Sequence, residues 1–189
     1  MLLIDVSGSM ADRTEPLLCL AHAVTQAADQ AEVFTLGTRL TRITQALKVS
    51  DRRQALARAS AAVADIDGGT RIGDALAAFL AVPRYTGFAR GGAVLVLSDR
   101  LERGTPDAMV DAVRRLSRAA WRLDWLTPLA ADPNYEPRTA GLTGILPVLD
   151  HLGDGASTDA VTDHILTMAR RWMIGAITIS GYKRTCPGC

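Results

Sequence analysis

Between the glycines and the polar end of "GGAVLVLSD" lie five consecutive apolar, β-tolerant residues, Ala93 to Leu97. Such a run leaves no face for water, which predicts a strand covered on both sides. A sheet of such strands needs helices on each face, and the chain alternates the two patterns accordingly. Residues 1–6 read as a short buried strand. After Pro16 the period becomes helical, with Leu17, Leu20, Ala21, Val24 and Ala28 on one face. "EVFTLGT" reads as a second strand, and "RLTRIT" as a third with one exposed face. Helices are predicted over 52–63, 72–80, 106–119, 135–146 and 158–170, with strands at "WRLDWLTPL" and near 148–152. The expected fold is α/β: a doubly wound, mostly parallel sheet flanked by helices, Rossmann-like in its layering.

Doubly wound sheets bind ligands beyond the carboxyl ends of their strands, where loops converge. Three loops at that edge carry oxygen donors. The first, "DVSGSM", offers Asp5, Ser7 and Ser9; the second, "GGTRIG", offers Thr70; the third, closing "VLVLSD", offers Asp99. Hydroxyls and carboxylates are hard donors that suit Mg²⁺ or Mn²⁺, and no His or Cys is placed for zinc. In the D-x-S-x-S spacing alternate side chains can turn toward one ion, which predicts a shallow magnesium site.

Taken together, "DVSGSM", "GGTRIGDAL" and "LVLSD" resemble the metal-ion-dependent adhesion site (MIDAS) of von Willebrand factor A (VWA) domains. The resemblance implies that Ser7, Ser9 and Thr70 contact the metal directly, that Asp5 and Asp99 anchor it through water, and that a partner's carboxylate fills the open position. "EVFTLGTRLTRIT", "DGGTRIGDALAAF", "LSDRLERG" and "WLTPLAADPNYEP" narrow the likeness to the CoxE-like subgroup, over residues 1–166. That likeness implies an accessory protein rather than an enzyme. Its expected partners are a MoxR-type AAA+ ATPase and a client metalloenzyme, such as a carbon monoxide dehydrogenase-like molybdenum hydroxylase. Two features depart from the subgroup. Arg100 stands where Ser-Asp-Gly is usual, and the chain begins inside the first strand, where the subgroup carries a preceding N-terminal region. Residues 1–170 are assigned to the VWA-like domain and 171–189 to a C-terminal tail.

Other patterns bear less function. With 189 residues, 48% of them hydrophobic, one domain with a full core is expected. A formal net charge of +1 gives no general attraction to nucleic acid or anionic lipid. Asp5 interrupts "MLLI", so the start does not read as a signal peptide, and no run reaches membrane-spanning length. Three cysteines make no disulfide framework, which points to a cytoplasmic setting; "CPGC", with Cys186 and Cys189, reads as an unstructured tail. Asp67 and Asp74 read as solvated charges, and Arg114, Arg115, Arg118 and Arg122 as a solvated face. His22, His151 and His164 are scattered without ligand spacing. The main alternative function is a magnesium-dependent phosphohydrolase using Asp5 as nucleophile. Against it, Ser7 stands where that chemistry wants a second acid. Neither a G-x-S-x-G elbow nor a phosphate loop is present.

Overall fold

The computed structural model describes residues 1–63, 71–99 and 106–182, with side chains as far as Arg171. Six strands form one sheet: β1 (Leu2–Asp5), β2 (Val33–Leu36), β3 (Leu40–Arg42), β4 (Ala93–Leu97), β5 (Arg122–Thr127) and β6 (His151–Asp154), in the order β3-β2-β1-β4-β5-β6. All neighbours pair in parallel except β2 and β3, a tight antiparallel pair. The apolar run of β4 lies beside Leu2–Ile4 of β1, and both stretches are covered on both faces, as their hydrophobicity requires.

Eight α-helices flank the sheet among the described residues: α1 (Ala11–Ala27), α2 (Thr44–Leu47), α3 (Arg52–Ala62), α4 (Ile72–Ala81), α5 (Pro83–Ala89), α6 (Pro106–Ala119), α7 (Ala140–Ile145) and α8 (Thr158–Tyr182). Alternation along the strands divides the core in two. Leu3, Phe34, Val96 and Trp125 face α4, α6 and α7, whereas Leu2, Ile4, Val33 and Leu97 face α1, α3 and α8. No helix among the described residues is long and apolar enough to cross a membrane.

Several elements depart from the expected boundaries. α1 begins at Ala11, fed by a 3₁₀ turn at Gly8–Met10, so Pro16 lies inside it. Proline at this sixth position loses the bond to the Asp12 carbonyl and crowds it, on a side of the helix that faces solvent. The buried face of α1 is Thr14, Leu17, Leu18, Ala21, His22 and Thr25, rotated from the expected stripe, with Leu20 and Val24 at its flank. Burial of these polar residues is possible because each bonds a carbonyl. Thr14 Oγ1 donates to Met10, Thr25 Oγ1 to His22, and His22 Nε2 lies 3.0 Å from the Val49 oxygen. The 135–146 helix shortens to α7, and α2 and α5 were not anticipated; each is too short for a periodic pattern. α8 continues past Arg170 to Tyr182, so a helix extends into the segment assigned to the tail. Cys186 and Cys189 lie outside the described residues.

α4 and α6 approach closely at Gly73. A Cβ there would lie 2.9 Å from Met109 N and 3.1 Å from its Cα, both rigid backbone atoms. Gly73→Ala is therefore expected to destabilise the fold by about 1–3 kcal/mol, because one helix must move away from the other. Urea unfolding measures it, and an unchanged midpoint would contradict the close crossing.

Candidate metal centre

Strand order reverses between β1 and β4, and the helices that follow those two strands, α1 and α6, pack on opposite faces of the sheet. The crevice so opened is where Asp5, at the carboxyl end of β1, meets Asp99, just past the end of β4. Ser7 and Ser9 stand between them on the turn into α1. Ser7 Oγ lies 3.1 Å from Ser9 Oγ, and Ser9 Oγ donates to Asp99 Oδ1 at 3.0 Å. The two loops, ninety residues apart in sequence, are thus joined by a chain of hydroxyl and carboxylate oxygens.

Asp5 anchors this chain from beneath. Its side chain is fully buried; Oδ1 accepts from Ser7 N at 2.9 Å and Oδ2 accepts from Ser98 Oγ at 2.6 Å. Burial pushes its carboxyl above the ordinary carboxylate range, and the nearby negative charge of Asp99 adds to this. Hydrogen bonds from Ser98 and Ser7 oppose the rise without cancelling it. A cation at the same place would offset that cost.

The structure therefore brings Asp5, Ser7, Ser9 and Asp99 to one place, while Thr70, Asp67 and Arg100 lie outside the described residues. Ser98 was missed in the sequence, although it stands in the quoted "VLVLSD". Its signal was a serine directly closing a strand read as covered on both faces; the structure leaves it 1% exposed, where a hydroxyl needs a partner. Among the described residues no three His, Cys, Asp or Glu side chains form a metal-holding group. A cation here would rest on serine hydroxyls and two carboxylates, an all-oxygen set that fits Mg²⁺ or Mn²⁺. Of the remaining assignments, Arg114, Arg115 and Arg118 are exposed as expected, but Arg122 turns inward to a buried acid, Asp124. His22 is buried, and His151 and His164 meet.

The layer order and this crevice define a VWA domain, and the comparisons agree. The family described as "VWA domain containing CoxE-like protein" matches residues 1–161, and the chain belongs to that family. Similar solved structures share the fold at low identity. The conserved hypothetical protein BatB from Bacteroides thetaiotaomicron is 15% identical, with TM-score 0.53 over 89% of this chain and 97% of its own. The SpRpn10 VWA domain is 14% identical, with TM-score 0.51 over 87% and 92%. An aerotolerance-related membrane protein from Bacteroides fragilis NCTC 9343 is 15% identical, with TM-score 0.55 over 89% and 96%. At such identities the likeness concerns the fold alone. No curated protein sequence matches the chain.

Proposed function

We propose that this protein is a metal-dependent protein-binding adaptor, acting with a MoxR-type AAA+ ATPase in the maturation or assembly of a metalloenzyme. The observation that carries the reading is the oxygen chain Ser7–Ser9–Asp99 laid across the β1–β4 crevice above buried Asp5. Ser7, Ser9 and Thr70 would hold Mg²⁺ directly, with Asp5 and Asp99 behind them, and the ion when bound would offer a position for a partner's carboxylate. The chain's own residues prepare that role. Ser98 and the Ser7 amide hold Asp5 in place, and the bond to Asp99 keeps Ser9 turned toward the crevice. Three neutral hydroxyl ligands would leave much of a dication's charge uncompensated, which favours an acidic partner. The identities of the ATPase and of the client, for which a carbon monoxide dehydrogenase-like molybdenum hydroxylase is the family's example, rest on family membership.

The phosphohydrolase alternative is weakened by the same geometry. A nucleophilic carboxylate needs an accessible oxygen, whereas Asp5 is buried and both of its oxygens accept hydrogen bonds.

Mg²⁺ at a tenfold excess over its Kd is expected to stabilise the protein by about 1.4 kcal/mol, seen as a melting temperature above that in EDTA. Ser7→Ala/Ser9→Ala should melt identically with and without Mg²⁺ while keeping its far-UV circular dichroism. Capture of the ATPase should fail in EDTA and in the double variant. Equal melting of the wild type in Mg²⁺ and EDTA would remove the metal from the proposal, and metal-independent capture would remove the adhesion mechanism.

A further inference from the structure

A second cluster of polar side chains lies on the α8 face of the sheet, level with Leu2 at the opposite end of β1 from Asp5. Asp124 of β5 is fully buried. Its Oδ2 accepts from Arg122 Nε at 2.8 Å and pairs with His164 Nε2 of α8 at 2.7 Å, while Oδ1 has no partner among the described residues. His151 of β6 pairs in register with Asp124, and its ring stacks on His164 with centroids 4.8 Å apart and planes 17° apart. The ring folds back over Gly153, where a Cβ would collide with His151 Nε2. Imidazole lone pairs lie in the ring plane, and two nearly parallel planes side by side do not meet at one ion. The pair is therefore no chelate.

We propose that the His151–His164 stack is a proton-operated latch: uncharged, it holds α8 on the edge of the sheet, and with both rings protonated it releases the helix.

The charges around the pair set the direction. β5 contributes Arg122 and Asp124, β6 contributes His151, and α8 contributes His164 and Arg171. Neighbouring acids are committed elsewhere: Asp150 accepts from Leu123 N, and Asp154 from Ala156 N. Asp124 is a single negative charge already balanced by Arg122, so with both rings protonated two uncompensated positive charges would stand face to face. Burial, then His164, Arg122 and Arg171, lower the proton affinity of His151 below that of an ordinary histidine, with Asp124 opposing. The docked state thus binds fewer protons than a released one. Docking is at full strength above the ordinary histidine value of about 6.5 and weakens as pH falls through it toward the lowered value. The apolar contribution of α8 among the described side chains is small, namely Val161, Ile165 and Met168, with Leu166 48% exposed. Beside these contacts the latch ties the first half of α8 to β5 and β6.

Hydrogen exchange read by mass spectrometry on the full chain, corrected for intrinsic rates, tests this between about pH 7.5 and about pH 5. Protection of α8 in the wild type should fall on the order of tenfold or more at the lower pH, while β1 and β4 keep theirs. His151→Gln, which cannot be charged, should hold α8 protection at the lower pH. His164→Gln, which keeps a donor for Asp124, should do the same and guards against a folding defect in the first variant. Unchanged α8 protection in the wild type, equal loss in both variants, or loss in β1 and β4 together with α8 would each overturn the latch.

Discussion

Replacing Asp5 by asparagine is expected to make the metal-free protein more stable by about 1–3 kcal/mol and, at once, indifferent to Mg²⁺. Asparagine keeps the shape and the acceptor for Ser7 N, and its amide can donate to Ser98 Oγ once that hydroxyl turns. What disappears is a fully buried negative charge. The folded-state carboxyl lies above its ordinary value, so the folded chain binds a proton at Asp5 more readily than the unfolded chain does. The cost of the charge is therefore complete above the folded value and vanishes as pH falls through it toward the unfolded one. In EDTA, the advantage of Asp5→Asn should be largest near neutral pH and close as the medium becomes acidic. Melting curves of both proteins across that range, with and without Mg²⁺, measure it. An asparagine variant that is less stable than wild type at neutral pH in EDTA would mean that Asp5 is held by its hydrogen bonds more strongly than it is penalised by burial.

The largest loss of stability is expected from Phe34→Ala. Phe34 of β2 is fully buried, edge-on to Phe79 of α4 at 5.2 Å and to Tyr85 of α5 at 5.0 Å, with Phe88 at 6.4 Å beyond. Arg42 of β3 lies 4.9 Å over the Phe88 ring and closes the cluster from the edge of the sheet. Removing the central ring loses its transfer energy, leaves a cavity bounded by three elements and breaks two edge-to-face pairs, for a total of about 3–5 kcal/mol. That is a large share of a domain's stability, typically about 5–15 kcal/mol. Urea unfolding of Phe34→Ala against Phe34→Leu measures it. A difference from wild type below about 1 kcal/mol would show that the cluster is not a core at all.

Both effects show which parts of the protein can be read without a structure. β4 and α6 were legible because one is apolar throughout and the other places Met109, Val110, Val113 and Leu116 on one face, so local period alone settles each. Helices α2 and α5 carry no comparable signal; α5 exists because Pro83 opens it and Tyr85 and Phe88 find Phe34 on a strand far away in sequence. The face of α1 was misplaced for a related reason. Periodicity counts apolar residues, whereas Thr14, His22 and Thr25 are buried because carbonyl partners happen to be present.

The candidate site divides in the same way. The sequence by itself determined the α/β alternation and the oxygen chemistry of Asp5, Ser7, Ser9 and Asp99, because residue type and strand-end position are local properties. Only the tertiary structure decided that Ser98 secures Asp5, that Arg122 leaves the solvated arginines for Asp124, and that two histidines scattered in the chain lie ring against ring. Those contacts join residues brought together by sheet order and register. Which strand lies beside which is set by the packing of the whole domain and leaves no mark on any short stretch of the chain.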